Sequence, residues 1–301
     1  MIIVRLQGGM GNQMFQYAAG RALSIRTNTK LKIDLSYLKD GKLGENVDYR
    51  KYGLGNFCIE EKFIDKKDLD QFVRKSLLFK KLKISWLNRQ LSYRLPISKI
   101  YSQKGHGYNP DFLKLSPNTY LVGYWQNPEF FAGVEDKVKQ DFVFKKLPVQ
   151  SNTEMLDKIT GCNSVSVHVR RGDFKNLPVL GTIGPEFYLK AISYILEQIS
   201  NPVLYFFSDD MNWVRVNFNE YSKKCRINYV DLNNSPGSEI EDLRLMSNCK
   251  HNILGNSTFG WWGAWLNGNP EKKVVAPERL FADPSINRQL QGMIPDNWIR
   301  L

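Results

Sequence analysis

Apolar positions recur along this chain with two periods, alternating or continuous over short runs and one face in three or four over longer ones. Residues 2–6 form a short apolar run, which predicts a strand. It feeds the tight glycine turn Gly8-Gly9-Met10-Gly11-Asn12-Gln13. Phe15, Ala18, Ala22 and Ile25 then share one face of a helix over residues 14–26, and residues 30–35 alternate as a second strand. Strand, turn, helix and strand make the βαβ unit of a parallel sheet. Residues 120–124 predict another strand, and residues 129–142 a helix after Pro128.

The second half alternates more cleanly. Strands are expected at 164–169, 203–207, 227–230, 252–254 and 273–275, with helices at 185–199, 239–249 and 257–266. This is the pattern of a doubly wound α/β domain, whose ligands sit at the carboxyl ends of its strands. The polar stretch 145–153 marks a boundary, giving domains of residues 1–150 and 151–301. Residues 36–118 carry no clear period and are expected to hold insertions.

Composition supports two cores. Of 301 residues, 42% are hydrophobic and 13% aromatic, enough to bury two domains of ordinary size. The first residues lack a basic leader and a cleavage site, and no apolar run is long enough to span a bilayer. Cys58, Cys162, Cys225 and Cys249 are scattered, which fits buried free thiols in a reducing compartment. A cytoplasmic location is the expectation.

The net charge of +12 changes the picture of partners. Nucleic acid, an anionic membrane face or a phosphorylated small molecule would suit a basic protein. Much of the excess lies in segment 74–104, where Arg74, Lys75, Lys80, Lys81, Lys83, Arg89, Arg94, Lys99 and Lys104 meet no acidic residue. Apolar residues interleave with them. Two readings stand: a helical region with a solvated basic face, or a surface resting on anionic lipid at the inner membrane face.

The candidate chemistry gathers in three places. Ser166-Val167-His168-Val169-Arg170-Arg171-Gly172-Asp173 brings His168 and two arginines to the carboxyl end of a buried strand. Adjacent guanidinium groups there suit a diphosphate, which they match bidentately; Asp173 is placed to orient one of them. Gly9 and Gly11, with Asn12, stand at a strand-to-helix turn whose backbone N–H groups suit an anion. A purely structural turn fits that motif equally. Gly255-Asn256-Ser257-Thr258 opens a helix and offers a third anion site, with Ser257 or Thr258 also suited to cap it. Glu239, Glu241 and Asp242 stand on the preceding helix, where a carboxylate would suit a purine edge or simply the helix dipole. His106, His168 and His251 have no metal-ligand spacing, and Asp68-Leu-Asp70 does not follow a buried strand, so no metal is expected.

These segments together resemble the bacterial α-1,2-fucosyltransferases: GGMGNQMFQYAAGRAL at 8–23, VHVRRGDF at 167–174, EDLRLMSNC at 241–249 and GNSTFGWWGAWL at 255–266. The resemblance implies a GT-B-like fold of two Rossmann-like, doubly wound α/β domains facing a cleft. The N-terminal domain would take the acceptor and the C-terminal one the GDP-sugar. It implies inverting transfer of L-fucose from GDP-β-L-fucose to the 2-hydroxyl of a galactose-terminated oligosaccharide or lipid-linked glycan, without metal. It places Arg170 on the β-phosphate, His168 and Arg171 by the nucleotide, Asp242 on the guanine, Asn256, Ser257 and Thr258 at the pyrophosphate, and Asn12 at the donor–acceptor junction. Asp173 is the nearest candidate for a base. A GT-B transferase using another nucleotide sugar and a basic nucleic-acid-binding protein are the alternatives. The latter needs exposed arginines with aromatics to stack on, whereas here the arginines end a buried strand.

Overall fold

The computed structural model describes residues 1–39, 51–65, 68, 100–176, 179–235 and 237–301. The basic segment 74–104 therefore lies outside the described residues except for 100–104, and Asp70 lies outside them too.

Two parallel sheets organise the chain. The first holds β1 (Ile2–Arg5), β2 (Leu31–Asp34), β3 (Ile100–Ser102) and β4 (Tyr120–Val122), in the order β2-β1-β4-β3. The second holds β5 (Asn163–Val169), β6 (Pro202–Ser208), β7 (Arg226–Val230), β8 (His251–Ile253), β9 (Val274–Ala276) and β10 (Ile299–Arg300). Its order is β10-β9-β8-β5-β6-β7. Parallel neighbours need crossover connections, and helices supply most of them. They are α1 (Met10–Arg26), α2 (Ser36–Lys39), α3 (Glu135–Asp141), α4 (Gln150–Thr160) and α5 (Pro185–Gln198). Then follow α6 (Met211–Phe218), α7 (Glu239–Asn248), α8 (Thr258–Leu266) and α9 (Pro284–Gln289).

The second sheet reverses its winding once, between β5 and β8, and in the first sheet β1 and β4 lie side by side. The crevice outside the carboxyl ends of such a strand pair is where open α/β sheets bind ligands. The two halves meet there, because α1 leaves β1 and α8 leaves β8, and their N-terminal turns touch. Thr258 Oγ1 donates to Asn12 Oδ1 at 3.0 Å, and the indole Nε1 of Trp262 donates to the Gly11 carbonyl at 2.9 Å. This is the GT-B-like arrangement of two Rossmann-like halves.

The core runs across this contact. Phe15 on α1 packs 4.5 Å from Trp261 and 4.9 Å from Trp262, centroid to centroid, and all three rings are buried. The tryptophans are core, as their spacing on an apolar helix suggests.

Several elements differ from the sequence reading. Helix α1 starts at Met10, so Gly11, Asn12 and Gln13 belong to its first turn rather than to the loop. Gly8 makes the turn at φ +74° and Gly9 caps the helix. Gly11 is required by contact: a Cβ there would lie 2.6 Å from the Phe259 amide nitrogen. Gln13 and Gln16, both fully buried, hold this corner. Gln16 exchanges two hydrogen bonds with the Gln7 backbone, and Gln13 donates to the Gly8 and Lys51 carbonyls. The expected helix over 129–142 divides into a 3-10 turn, Pro128–Phe131, and α3, with Gly133 at φ +80° between them. The cysteines are all free, but only Cys249 is buried, and Cys58 is exposed. No helix among the described residues is long and apolar enough to cross a membrane.

Candidate active site at the junction of the two sheets

Strand β5 lies between β6 and β8, and Val165, Val167 and Val169 are fully buried in the core. That burial anchors the cluster which follows. His168 is 7% exposed, and its Nδ1 has no hydrogen-bond partner among the described residues. Burial pulls its pKa down to about 4, with Asp209 opposing and Arg170 assisting, so the imidazole is neutral near pH 7. The ring lies against the first turn of α8: a Cβ on Gly260 would stand 2.6 Å from Nδ1.

Arg170 follows at the strand end, half-buried at 26% side-chain exposure. Its Nε and Nη2 donate to Asp173 Oδ1 at 3.1 and 2.6 Å, and Nη1 pairs with Asp209 Oδ2 at 3.1 Å. Arg171 stacks 4.0 Å over Trp213, its backbone N–H donates to Asp209 Oδ1 at 2.9 Å, and Nε stands 3.4 Å from Asp210 Oδ2. Lys175 also pairs with Asp210. The arginines are thus neutralised by three carboxylates, so they do not demand an anion as adjacent bare cations would. What the carboxylates supply is orientation. A guanidinium carries five N–H donors, and the three contacts made by Arg170 leave two of them to face a ligand.

Asp209 and Asp210 are the site residues that sequence reasoning missed. Their signal was Ser208-Asp209-Asp210 at the end of the strand beside β5. Gly172 is small for their sake, since a Cβ there would stand 2.3 Å from Asp209 Oδ2.

Across the switch point, Ser257 caps α8 by accepting from the Phe259 N–H at 3.3 Å. Asn256 is 3% exposed; its Nδ2 donates to the Gly181 carbonyl at 3.0 Å, while its Oδ1 is buried with no partner among the described residues. Thr258 is joined to Asn12, as described above. Gly9 faces open space, whereas Gly11 is packed tightly on Thr258 and Phe259. The structure therefore brings His168, Arg170, Arg171 and Asp173 into one cluster and Asn256, Ser257, Thr258, Gly11 and Asn12 into another. Backbone pairing ties the two, because the Gly255 N–H donates to the His168 carbonyl at 3.1 Å.

Asp242 stands elsewhere on the same edge of the second sheet, in the first turn of α7. Its described partner is Asn233, which donates from Nδ2 at 2.8 Å and exchanges amide bonds with Asn152. Burial, with Glu239 and Glu241 adding to it, pushes the Asp242 pKa up to about 7 against the pull of Asn233. Glu241 is taken up by Arg244 at 2.9 Å. Asp68 pairs with Lys32 at 2.6 Å and accepts from the Asp65 N–H, a structural use. Among the described residues no group of three His, Cys, Asp or Glu gathers closely enough to hold a metal ion.

Oriented guanidinium donors and a capped helix N-terminus stand at the switch point of one α/β half, closed by a second half, an arrangement suited to a phosphorylated ligand. The chain belongs to glycosyl transferase family 11, whose family model matches residues 1–301. It is 30% identical to an alpha-1,2-colitosyltransferase of Escherichia coli, over 100% of this chain and 99% of that protein. It is 34% identical to galactoside alpha-(1,2)-fucosyltransferase 2 of Rattus norvegicus, over 39% of this chain and 37% of that one. Among solved structures it is similar to the fucosyltransferase NodZ from Bradyrhizobium, with a TM-score of 0.44 and 13% identity over 87% of this chain and 91% of that one.

Proposed function

We propose that this protein transfers L-fucose from GDP-β-L-fucose to the 2-hydroxyl of a terminal galactose, with inversion and without metal, in surface glycan synthesis. The observation that carries this reading is Arg170, held as a fork by Asp173 and Asp209 beside the capped N-terminus of α8. The barrier in such a transfer is the charge left on the departing diphosphate. Fixed donors aimed at that charge stabilise it without reorganising. Arg170 takes the β-phosphate and leaving oxygen; Arg171, Asn256, Ser257 and Thr258 take the rest of the pyrophosphate. His168 lies neutral beside the nucleotide, and the amides of Gly9 and Gly11 favour the same charge. Asp173, committed to Arg170, acts as its orienter rather than as the base. Residues 1–150 carry the acceptor side and residues 151–301 the donor side.

Relatives named for α-1,2 transfer support the linkage. A second donor is favoured by the Escherichia coli relative matched over 99% of its length that is named for colitose, a fucose without its 3-hydroxyl. The test is incubation with GDP-fucose or GDP-colitose and a galactoside panel in the presence of EDTA, followed by linkage and anomer analysis. An α-fucosyl group on O2 is the expected product. Colitosyl transfer alone would favour the second donor, and a need for divalent cation or another linkage would overturn the reading.

The guanine assignment of Asp242 carries a pH dependence. Its carboxylate must be ionised to accept from the base N1–H and N2–H₂, and its pKa lies at about 7. GDP affinity should therefore weaken as pH falls below 7, approaching about tenfold per pH unit. Asp242→Asn should bind GDP weakly and with a flat profile. Calorimetric titration from pH 5.5 to 8.5 checks both. The sign for stability is opposite to that of a salt-bridged carboxylate. The folded state keeps a proton that the unfolded chain releases near 3.8, so this group costs stability as pH rises from there to about 7.

The contact of segment 74–104 with an anionic, inner-face membrane belongs to the same reading, placing the enzyme by a lipid-linked acceptor. Flotation on anionic liposomes that survives neutralising Lys80, Lys81 and Lys83 would refute it.

A further inference from the structure

The turn after β4 carries an unexplained strain. Trp125 is fully buried yet adopts φ +56°, a region that bulky L-residues rarely enter. Its indole Nε1 is buried with no hydrogen-bond partner among the described residues. One side chain enforces the turn: Gln103 Oε1 accepts from both the Tyr124 and Trp125 N–H groups at 2.9 Å. The other end of that amide is anchored by the carbonyls of His106 and Gly107. Backbone strain that a structure goes to such lengths to hold tends to mark a functional position.

What the turn achieves is the placement of Gln126. It follows the carboxyl end of β4, the strand paired with β1, and donates from Nε2 to Asn12 Oδ1 at 2.8 Å. The same oxygen accepts from Thr258 Oγ1. Both lone pairs of Asn12 Oδ1 are then used, which fixes the amide so that its Nδ2 is a free donor. The bond from Nε2 likewise fixes which end of the Gln126 amide meets Asn12, leaving Oε1 as its other end. Among the described residues neither Asn12 Nδ2 nor Gln126 Oε1 has a hydrogen-bond partner. One donor, Nδ2 lying against Gly8, and one acceptor, both set by the bonds to Asn12 Oδ1 next to α8, match a sugar hydroxyl, which both gives and takes a hydrogen bond.

We propose that Gln126 is a specificity-determining residue that, with Asn12, grips the acceptor-sugar hydroxyl next to the one being glycosylated. This rests on the function proposed above. With the donor sugar at α8, as proposed above, the reacting 2-hydroxyl would face Thr258, and Asn12 bridges Thr258 to Gln126, which assigns Gln126 to the neighbouring hydroxyl at C3.

The experiment measures acceptor KM, kcat and GDP Kd for wild type and Gln126→Ala, with a galactoside and its 3-deoxy analogue. Loss of a neutral hydrogen bond should raise acceptor KM on the order of fivefold to tenfold while GDP Kd holds. The 3-deoxy analogue should cost the wild type a similar factor and cost Gln126→Ala little more, so that the losses do not add. Gln126→Glu keeps the size, but its carboxylate draws the Asn12 amide to itself; the same rise in acceptor KM is expected if the alanine variant fails to fold. Unchanged acceptor KM, additive losses, or a matching rise in GDP Kd would overturn the assignment alone. A wild type that fucosylates no galactoside would overturn the proposed function and this inference with it.

Discussion

Arg170→Ala is expected to lower kcat by about 10²-fold or more, the scale seen when one donor to a developing anion is removed. The local charges explain why the loss should exceed that of a simple truncation. In the native cluster Arg170 spends three contacts on Asp173 and Asp209. Alanine removes the cation and leaves both carboxylates facing the diphosphate, so the site would repel the group it must stabilise. Lysine keeps the charge but loses the fork that lets one group hold two carboxylates and still reach a phosphate. Arg170→Lys should therefore recover GDP binding more fully than turnover. Single-turnover kinetics with GDP-fucose, alongside GDP titration, separates the two. Near-normal turnover in Arg170→Ala would remove Arg170 from the chemistry and with it the main support for the proposed mechanism.

The same cluster shows what could and could not be read ahead of the structure. His168 and Arg170 were legible because alternating buried valines fix which side chains a strand delivers to its end. Asp209 and Asp210 were visible as letters, but their partnership with the arginines depends on β6 lying beside β5 in register. Val169 opposite Ser208 is a pairing that no local period encodes. The clean strand–helix alternation of residues 164–275 made the second sheet readable, since a buried parallel strand is a nearly continuous apolar run. Helix α4 escaped because only Asn152 and Ile159 of its eleven residues are buried, too thin a stripe to announce a helix. Strand β10 has two residues and none of the three in β3 is buried, whereas β8 and β9, as short as β3, are buried throughout and read as apolar runs. The glycine motif was legible as a strand-to-helix turn, but the start of the helix was misplaced by one turn. Gly11 answers to the backbone of α8, more than two hundred residues away, a constraint that exists only once the halves dock.

That docking leads to the second large effect. Trp262→Ala is expected to cost about 3–5 kcal/mol of stability, the range for truncating a fully buried large aromatic. Trp262 is completely buried, with the rings of Phe15, Phe142, Trp261 and Trp265 all within 5.1 Å of its own. Phe15 belongs to the first half and Trp261 and Trp265 to the second, so the cavity would open in the joint between them. The indole also donates to Gly11, fixing the turn that carries Asn12. Trp262→Phe keeps most of the packing and loses that bond, and should cost nearer 1 kcal/mol. Denaturant midpoints of the three proteins give the order. The functional consequence follows from geometry: Thr258 and Asn12 meet only because α8 is seated on α1, so Trp262→Ala should lose transfer at temperatures where it is still folded. A midpoint shift equivalent to less than about 1 kcal/mol, with transfer intact, would mean that the halves are joined by something other than this aromatic seam.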